Sequence, residues 1–264
     1  MNIVKETKHI FRLTVPYLDI FTTVYLVKTD DGALLFDAAS YPSDFEEYIQ
    51  PFLSELGMAK DDLKYLFISH NHRDHNGTIA EIAAAYPGVT LVARAPKISE
   101  KYPNIPCLCP DQTTELLGVL RCVPIPGHSL DSCALLDTRT NTLISGDCLQ
   151  LYGIYGSGKW GANISLIEAH MNALARLESM EIDTVLTAHD YHPMGHKYVG
   201  KTEILRAIQN CRDPLFKMAL LIKENPMFTN AEIVNTYCQL DLPTPAEHVV
   251  EAVRQYFKND GELL

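Results

Sequence analysis

The sequence predicts an α/β fold in which mixed sheets are covered by helices, with a helical appendage at the C-terminal end. Short β-rich runs recur between residues 21 and 147, helix-like segments lie among them, and the pattern is helical from about residue 197 onward. Strands that first form a meander and then alternate with helices are typical of sheets that pack against helices. The 264 residues and the hydrophobic content of 47% are ample for a full core.

The elements follow in chain order. The predicted strands are residues 21–27, 33–38, 63–69, 89–93, 119–125, 133–137, 142–147 and 184–188. Three helices are predicted, over 43–57, 78–86 and 165–180, the first and last because their apolar residues share one helical face.

We predict two parts of the chain, an α/β domain over 1–196 and a C-terminal helical extension over 197–264 that packs on the same domain. The extension contains several helical segments, and one of them, over 212–224, is apolar on more than one stripe. Such a helix can pack on the core with one side and roof a site with the other. A dimer interface and a purely stabilising appendage stay open as alternatives.

Composition limits the function classes. The net charge of −11 argues against a nucleic-acid partner. We find no apolar run long enough for a membrane span and no apolar stretch in "MNIVKETKHIF", so we expect no export signal. Seven scattered cysteines then predict reduced thiols in the cytoplasm.

The stretch "ISHNHRDHNG" concentrates three of the chain's ten histidines. Its candidate metal ligands are His70, His72, Asp74 and His75. Histidine and aspartate are ordinary ligands of zinc and iron. Four ligands on one tight loop could hardly all bind one ion, so two ions with further ligands elsewhere are the more natural interpretation.

Further candidates follow later β-rich runs. His128 stands in "VPIPGHS", Asp147 in "LISGDC" and His189 in "TVLTAHDYH". Each is the first titratable residue after an apolar run, and strand ends are where sheet proteins present side chains to a shared cleft.

These motifs, in this order, resemble the metallo-β-lactamase superfamily, and most closely its glyoxalase II-type and other dinuclear hydrolases. "ALLFDAAS" also resembles the strand of that family that ends in an aspartate, here Asp37. The resemblance covers roughly residues 20 to 195. It implies a four-layer αβ/βα sandwich with two metal ions at one edge of the two sheets.

The resemblance also implies a ligand set. The first ion would be held by His70, His72 and His128, the second by Asp74, His75 and His189, and Asp147 would bridge them. Two divalent transition-metal ions are expected, zinc first, with iron or manganese possible. Asp37 is expected to accept a hydrogen bond from a ligand histidine.

The implied activity is hydrolysis of a small-molecule ester, lactone or thioester by a metal-bridging hydroxide, with Asp74 as the catalytic carboxylate. A phosphodiesterase or nuclease of the same fold and a non-hydrolytic di-iron redox protein are the alternatives. The expected partner is a small molecule, with neither nucleic acid nor membrane, and a homodimer stays open.

Four residues are candidates for substrate contact. The loop over 152–163 is glycine-rich and aromatic and follows Asp147, which is typical of a substrate-binding lid. Tyr152 and Trp160 belong to this loop, and Tyr191 and His192 follow His189. His170 is expected to pack in its helix instead of taking part in catalysis.

Overall fold

The computed structural model describes residues 3–156 and 158–260. The predicted loop and the predicted extension therefore include Ser157 and residues 261–264, which lie outside the described residues. The chain divides into two units, one formed by Met1–Pro124 with Asp131–Arg139 and the other by Ile125–Leu130 with Thr140–Leu264. The boundary predicted at 196/197 stays a prediction.

Within its described residues, the first unit holds the strands β1 (Ile3–Lys5), β2 (Ile10–Tyr17), β3 (Ile20–Thr29), β4 (Gly32–Phe36), β5 (Leu63–Ile68), β6 (Thr90–Ala93), β7 (Cys107–Leu108), β8 (Glu115–Leu116), β9 (Leu120–Pro124) and β10 (Cys133–Asp137). Its helical elements are a π-helical segment (Phe45–Ile49), α1 (Gln50–Glu55), α2 (Arg73–Asn76), α3 (Ile79–Ala85) and α4 (Pro96–Lys101).

The strands β1 to β7 form one mixed sheet in chain order. From β1 to β4 the neighbours are antiparallel, and from β4 to β7 they are parallel. Parallel strands covered on both faces are continuously apolar, and "ALLF" of β4 is buried at each position. The carboxyl ends of β4 and β5 therefore lie side by side, which brings Asp37 and Ser69 together. Strands β8, β9 and β10 are paired antiparallel.

The second unit holds the remaining elements: β11 (Thr142–Ile144), a 3₁₀ turn (Gly146–Cys148), α5 (Ile167–Ser179), β12 (Thr184–Tyr191), β13 (Gly195–Val199), α6 (Lys201–Glu224), α7 (Asn230–Cys238) and α8 (Glu247–Asp260). β11 pairs parallel with β12, and β12 pairs antiparallel with β13. Helices α5 to α8 share one apolar core, in which Met218, Ile233, Val249 and Val253 are fully buried.

The α/β class with C-terminal helices is confirmed, and several element bounds are corrected. The helix predicted over 43–57 is a π-helical segment followed by α1. The helix predicted from 212 is the second half of α6, which runs unbroken through the buried Pro214, because its packed apolar residues outweigh one missing backbone hydrogen bond.

Two strands that the prediction lacks have a physical reason for being missed. In β2 the apolar residues are interrupted by Arg12, Thr14 and Pro16. In "GHKYV", which forms β13, glycine, histidine and lysine leave little β signal, and pairing with β12 makes the strand.

Candidate functional site

The loop after β5 carries the first set of candidate ligands. β5 ends at Ile68, so His70 and His72 lie in the turn that follows this strand. Their ring nitrogens lie close together, with His70 Nε2 2.9 Å from His72 Nδ1. His72 immediately precedes α2, whose one turn contains Asp74 and His75. The ring centroids of His70 and His75 are 4.3 Å apart, so this loop brings its histidines together.

The buried carboxylate of Asp37 holds this loop in place. Asp37 is 0% exposed and accepts hydrogen bonds from the Ser69 amide at 2.7 Å and the Ser69 hydroxyl at 2.9 Å. Its Oδ2 also lies 2.8 Å from His75 Nδ1. Burial raises the pKa of Asp37, and His75 and the Ser69 hydrogen bonds oppose that rise. The contact orients the His75 ring so that Nε2 faces Asp74, 3.3 Å from its Oδ2.

The second set belongs to the second unit and centres on Asp147. This aspartate lies in the 3₁₀ turn after β11 and is 6% exposed. Its Oδ2 is 3.6 Å from His128 Nε2, and its Oδ1 is 3.2 Å from His189 Nε2. Each carboxylate oxygen therefore faces one histidine, an arrangement compatible with a carboxylate that is shared by two metal ions.

His189 lies inside β12, not after it as the sequence predicts. The register of β12 against β13 shifts between Leu186 and Tyr191, and a β-bulge of this kind re-aims side chains. The Thr187 hydroxyl donates to the His189 carbonyl at 2.7 Å and fixes the backbone there. The irregularity, and not a strand end, presents this histidine to Asp147.

His128 is oriented by a series of contacts that the sequence does not indicate. Its Nδ1 is 2.6 Å from the backbone carbonyl of Asn163, so its Nε2 is the nitrogen that faces Asp147. The Asn163 side chain is in turn held, because His248 Nε2 at the start of α8 lies 2.8 Å from Asn163 Oδ1. A C-terminal helix is thus linked through one residue to a candidate ligand. Spacing gives no signal for a contact between residues 85 positions apart.

Tyr191 touches Asp147 directly. Its side chain is 0% exposed, and its hydroxyl donates to Asp147 Oδ1 at 2.9 Å. Gln150 donates to the same hydroxyl at 3.3 Å and to the Asp147 carbonyl at 3.0 Å. A role in holding the carboxylate therefore stands beside the substrate contact predicted for Tyr191.

The other three candidates for substrate contact, Tyr152, Trp160 and His192, are half-buried. Tyr152 donates to Asp213 of α6 at 2.8 Å, and burial followed by Asp213 raises the pKa of Tyr152 to about 12. The rings of His192 and Tyr155 are 5.1 Å apart. Their part in substrate binding stays a prediction.

The glycine-rich loop is tied to the C-terminal segment. Gly161 N donates to Thr244 O at 2.8 Å, and Thr244 N donates to Gly158 O at 2.9 Å. A Cβ at Gly161 would lie 2.4 Å from Pro245 N and from the Thr244 carbonyl, so only glycine allows this approach. The segment that contains Thr244 and Pro245 therefore packs on the loop that the sequence predicts as a lid.

His170 is fully buried in α5, and neither ring nitrogen has a hydrogen-bond partner within the described parts of the chain. Burial lowers the pKa of His170 to about 3, and His128 and Arg212 act in the same direction. The ring packs against Gly127, where a Cβ would lie 2.7 Å from His170 Nδ1. The ring acts as packing beneath the Gly127–His128 turn.

The donor chemistry of both sets fits divalent transition metals. In His75 and His128 one ring nitrogen is engaged by an oxygen and the other faces an aspartate carboxylate. Metal-binding histidines characteristically use their second ring nitrogen in this way. Imidazole and carboxylate donors suit zinc, iron and manganese.

Comparison with known proteins decides the family. A family model described as the metallo-beta-lactamase superfamily matches residues 18–189. The chain belongs to the metallo-β-lactamase superfamily. Most members are hydrolases, and the superfamily typically binds divalent metals. The fold predicted from the resemblance is therefore confirmed at the level of the superfamily.

Individual relatives share between 23% and 30% identity with parts of this chain. Protein YobT of Bacillus subtilis is 30% identical over 160 residues, which are 52% of this chain and 66% of YobT. Thioesterase pkgB of Emericella nidulans is 27% identical over 48% of this chain and 35% of its own length. An atrochrysone carboxyl ACP thioesterase of Aspergillus fumigatus is 23% identical over 64% of this chain and 37% of its own. The chain thus spans about two thirds of YobT and little more than a third of the two thioesterases.

Solved structures agree on the fold. A metallo-beta-lactamase family protein from Thermus thermophilus superposes with a TM-score of 0.70 at 16% identity, over 97% of this chain and 95% of that one. The flavodiiron protein of Giardia intestinalis gives 0.64 at 18% identity, over 84% and 66%. Within residues 3–156 and 158–260, no helix is both long and apolar enough to cross a membrane.

Proposed function

We propose that this protein is a metal-dependent hydrolase that cleaves a small-molecule ester, lactone or thioester, with thioesters first. The observation that carries the proposal is the Asp147 carboxylate, whose two oxygens face Nε2 of two different histidines at 3.6 and 3.2 Å. A buried aspartate held between two imidazoles is costly without a cation to balance it. Two bound divalent ions would lower the pKa of a water molecule and polarise the substrate carbonyl.

The proposed ligands are the seven residues that the motifs indicate. His70, His72 and His128 are assigned to one ion, Asp74, His75 and His189 to the other, and Asp147 to both. With this assignment we propose that the chain is a glyoxalase II-like, dinuclear member of the superfamily. Zinc is the proposed metal, since imidazole and carboxylate groups are among its usual protein ligands, and iron or manganese would accept the same donors.

The residues of the chain have separate tasks in this proposal. Asp74 orients the attacking water and carries a proton towards the leaving group. Asp37 holds the His75 ring, and its charge makes that imidazole a stronger base and a better ligand. Tyr191 donates to Asp147 Oδ1 and fixes the direction of its carboxylate.

The substrate class is supported by relatives and by charge. Two relatives are described as thioesterases, and one of these acts on an acyl group carried by ACP, according to its description. The net charge of −11 disfavours nucleic acid as substrate. We propose a cytoplasmic enzyme, because all seven cysteines are free thiols in the structure.

We also propose that residues 197–264 form an extension that limits access to the metal ions. Its support is the packing of Thr244 on Gly158 and Gly161 and the link from His248 to Asn163. A small acyl compound would pass such a covered loop, and a nucleic-acid duplex would not.

A substrate panel on metal-replete protein tests the function. The panel contains short acyl thioesters, aryl esters, lactones and a phosphodiester, each assayed before and after metal removal. We expect thioester or ester cleavage that chelation abolishes and added zinc restores. Faster phosphodiester cleavage, or oxygen reduction by an iron-loaded protein without ester cleavage, would contradict the proposal.

A further inference from the structure

The loop with four candidate ligands also lines a cavity in the first unit. The cavity has a volume of about 450 Å³, within the usual range of ligand pockets. Its lining residues share a polar or small character; they are Ser40, Pro42, Asn71, Arg73, Asn76, Gly77 and Lys101. Along the loop, Asn71 and Arg73 alternate with His70, His72 and Asp74. A molecule that contacts Arg73 therefore touches a residue that stands between the candidate ligands His72 and Asp74 in the sequence.

The charge of this lining is opposite to that of the whole chain. The cavity contains two cations, Arg73 and Lys101, and no carboxylate among its lining residues, although the chain carries a net charge of −11. The Arg73 guanidinium is fixed over the Tyr41 ring, 4.7 Å from its centroid. Within the described residues, neither cation forms an ion pair with a carboxylate.

Ser40 forms one wall of the cavity and is 2% exposed. Gly77 keeps this wall in place, since a Cβ there would lie 2.1 Å from the Ser40 carbonyl carbon.

The neighbouring carboxylates are engaged elsewhere. Asp44 Oδ2 accepts from the Ser40 and Tyr41 amides, both at 2.9 Å. Asp131 accepts from the Asn71 amide at 2.8 Å, and Asp74 faces His75. Each of these negative charges is partly compensated by its own donors, so the two lining cations remain available to an added anion.

We propose that this cavity binds an anionic group of the substrate, a carboxylate or a phosphate ester, through Arg73 and Lys101. The role as a substrate subsite rests on the proposed hydrolase function. Arginine and lysine form charge-assisted hydrogen bonds with both kinds of anion. Asn71 and Asn76 line the same space with amide groups.

Two pairs of thioester substrates distinguish between the two possible anions, a carboxylate and a phosphate ester. Succinyl against butyryl N-acetylcysteamine differs by a carboxylate, and butyryl phosphopantetheine against butyryl pantetheine differs by a phosphate. The metal-replete wild type is compared with a double variant, Arg73→Gln with Lys101→Gln. Lys97→Gln is the matched control, because Lys97 is an exposed lysine of the same helix outside the cavity. Metal content is measured in all three proteins.

We expect the ratio of kcat/KM for the charged over the neutral substrate of one pair to fall about tenfold or more in the double variant. The same ratio should stay within about twofold in Lys97→Gln, as for an ordinary surface substitution. A ratio that the double variant leaves unchanged for both pairs overturns the proposal.

A wild type that hydrolyses no thioester would count against the proposed function alone. In that case, a direct binding measurement still tests whether the cavity binds an anion. Titration calorimetry then measures monomethyl succinate and inorganic phosphate against the same three metal-replete proteins. Binding by the wild type and by Lys97→Gln that is at least about tenfold weaker in the double variant supports the cavity as an anion site. Equal affinity in all three proteins, or no binding of either anion, overturns it.

Discussion

The two sets of candidate ligands are built in different ways. In the first unit, four candidates lie on one loop of six residues, and the buried Asp37 holds His75 through a side-chain contact. In the second unit, His128, Asp147 and His189 come from three separate segments. There the backbone carbonyl of Asn163 holds His128, and His248 of the last helix holds Asn163. Candidate ligands on one loop can be found in the sequence. The residues that orient ligands from separate segments are brought to them only by the tertiary structure.

The nature of each support sets its expected importance. Asp37 brings a buried carboxylate to His75, a proposed metal ligand, so it should change both the orientation and the basicity of the ring. The Asn163 carbonyl is neutral and is part of the backbone, and its side-chain support can be removed while the carbonyl itself remains. Loss of the support in the first unit should therefore cost more than loss of the support in the second.

Removal of Asp147 should have the largest effect. Asp147→Ala removes the carboxylate assigned to both ions, so activity should fall by more than about a hundredfold, the upper range for residues that only support a ligand. His170→Ala should reduce stability and leave most of the activity in the protein that stays folded. The measurement is kcat/KM with metal content and melting temperature; equal losses in both variants at equal metal content would contradict the assignment.

Replacement of Asp37 should come next. Asp37→Asn keeps the size of the side chain but removes its charge, so metal affinity should fall about 10- to 100-fold. Competition with a chromophoric chelator measures the affinity. Asp44→Asn, at another buried aspartate that faces backbone amides, is the control. An affinity loss no greater than that of the control would refute a special role for Asp37.

The buried His170 should make the stability of the protein sensitive to acid. Its ring has no hydrogen-bond partner among the described residues, and its pKa is lowered from 6.5 to about 3. Below pH 6.5 the unfolded chain binds a proton that native His170 does not, so the stability falls as the pH falls. Above that pH the group contributes no pH dependence.

The variant His170→Gln should remove this part of the acid sensitivity. Between about pH 7 and pH 5 the wild type should lose about 2 kcal/mol more of its unfolding free energy than the variant. Urea denaturation in the presence of chelator measures both proteins without a contribution from metal release. Parallel pH profiles for the two proteins would show that His170 does not carry the effect.

The His248 support should give the smallest effect. His248→Ala removes a contact that reaches His128 only through Asn163, so metal affinity should fall by less than about tenfold. Glu247→Gln, at the exposed neighbouring position of α8, is the control. A loss larger than that of Asp37→Asn would reverse the proposed order of the two supports.

The sequence predicts those parts of the molecule that local patterns determine. The apolar runs of β4, β5 and β10 and the cluster around His70 are local, and the motif order identifies the superfamily. The long-range supports are different. The contacts of Asn163 with His248 and of Gly161 with Thr244 join positions more than eighty residues apart, and no spacing rule indicates them. The register shift within β12 that directs the His189 side chain towards Asp147 arises from strand pairing, and the sequence does not indicate it either.

The metal content of the purified protein tests the central claim most directly. Protein prepared without chelator is analysed by inductively coupled plasma mass spectrometry, with protein concentration from amino-acid analysis. We predict about two zinc, iron or manganese ions per chain, as expected for a two-metal site. A folded wild-type protein that contains none, and that takes up none when zinc is added, would contradict it.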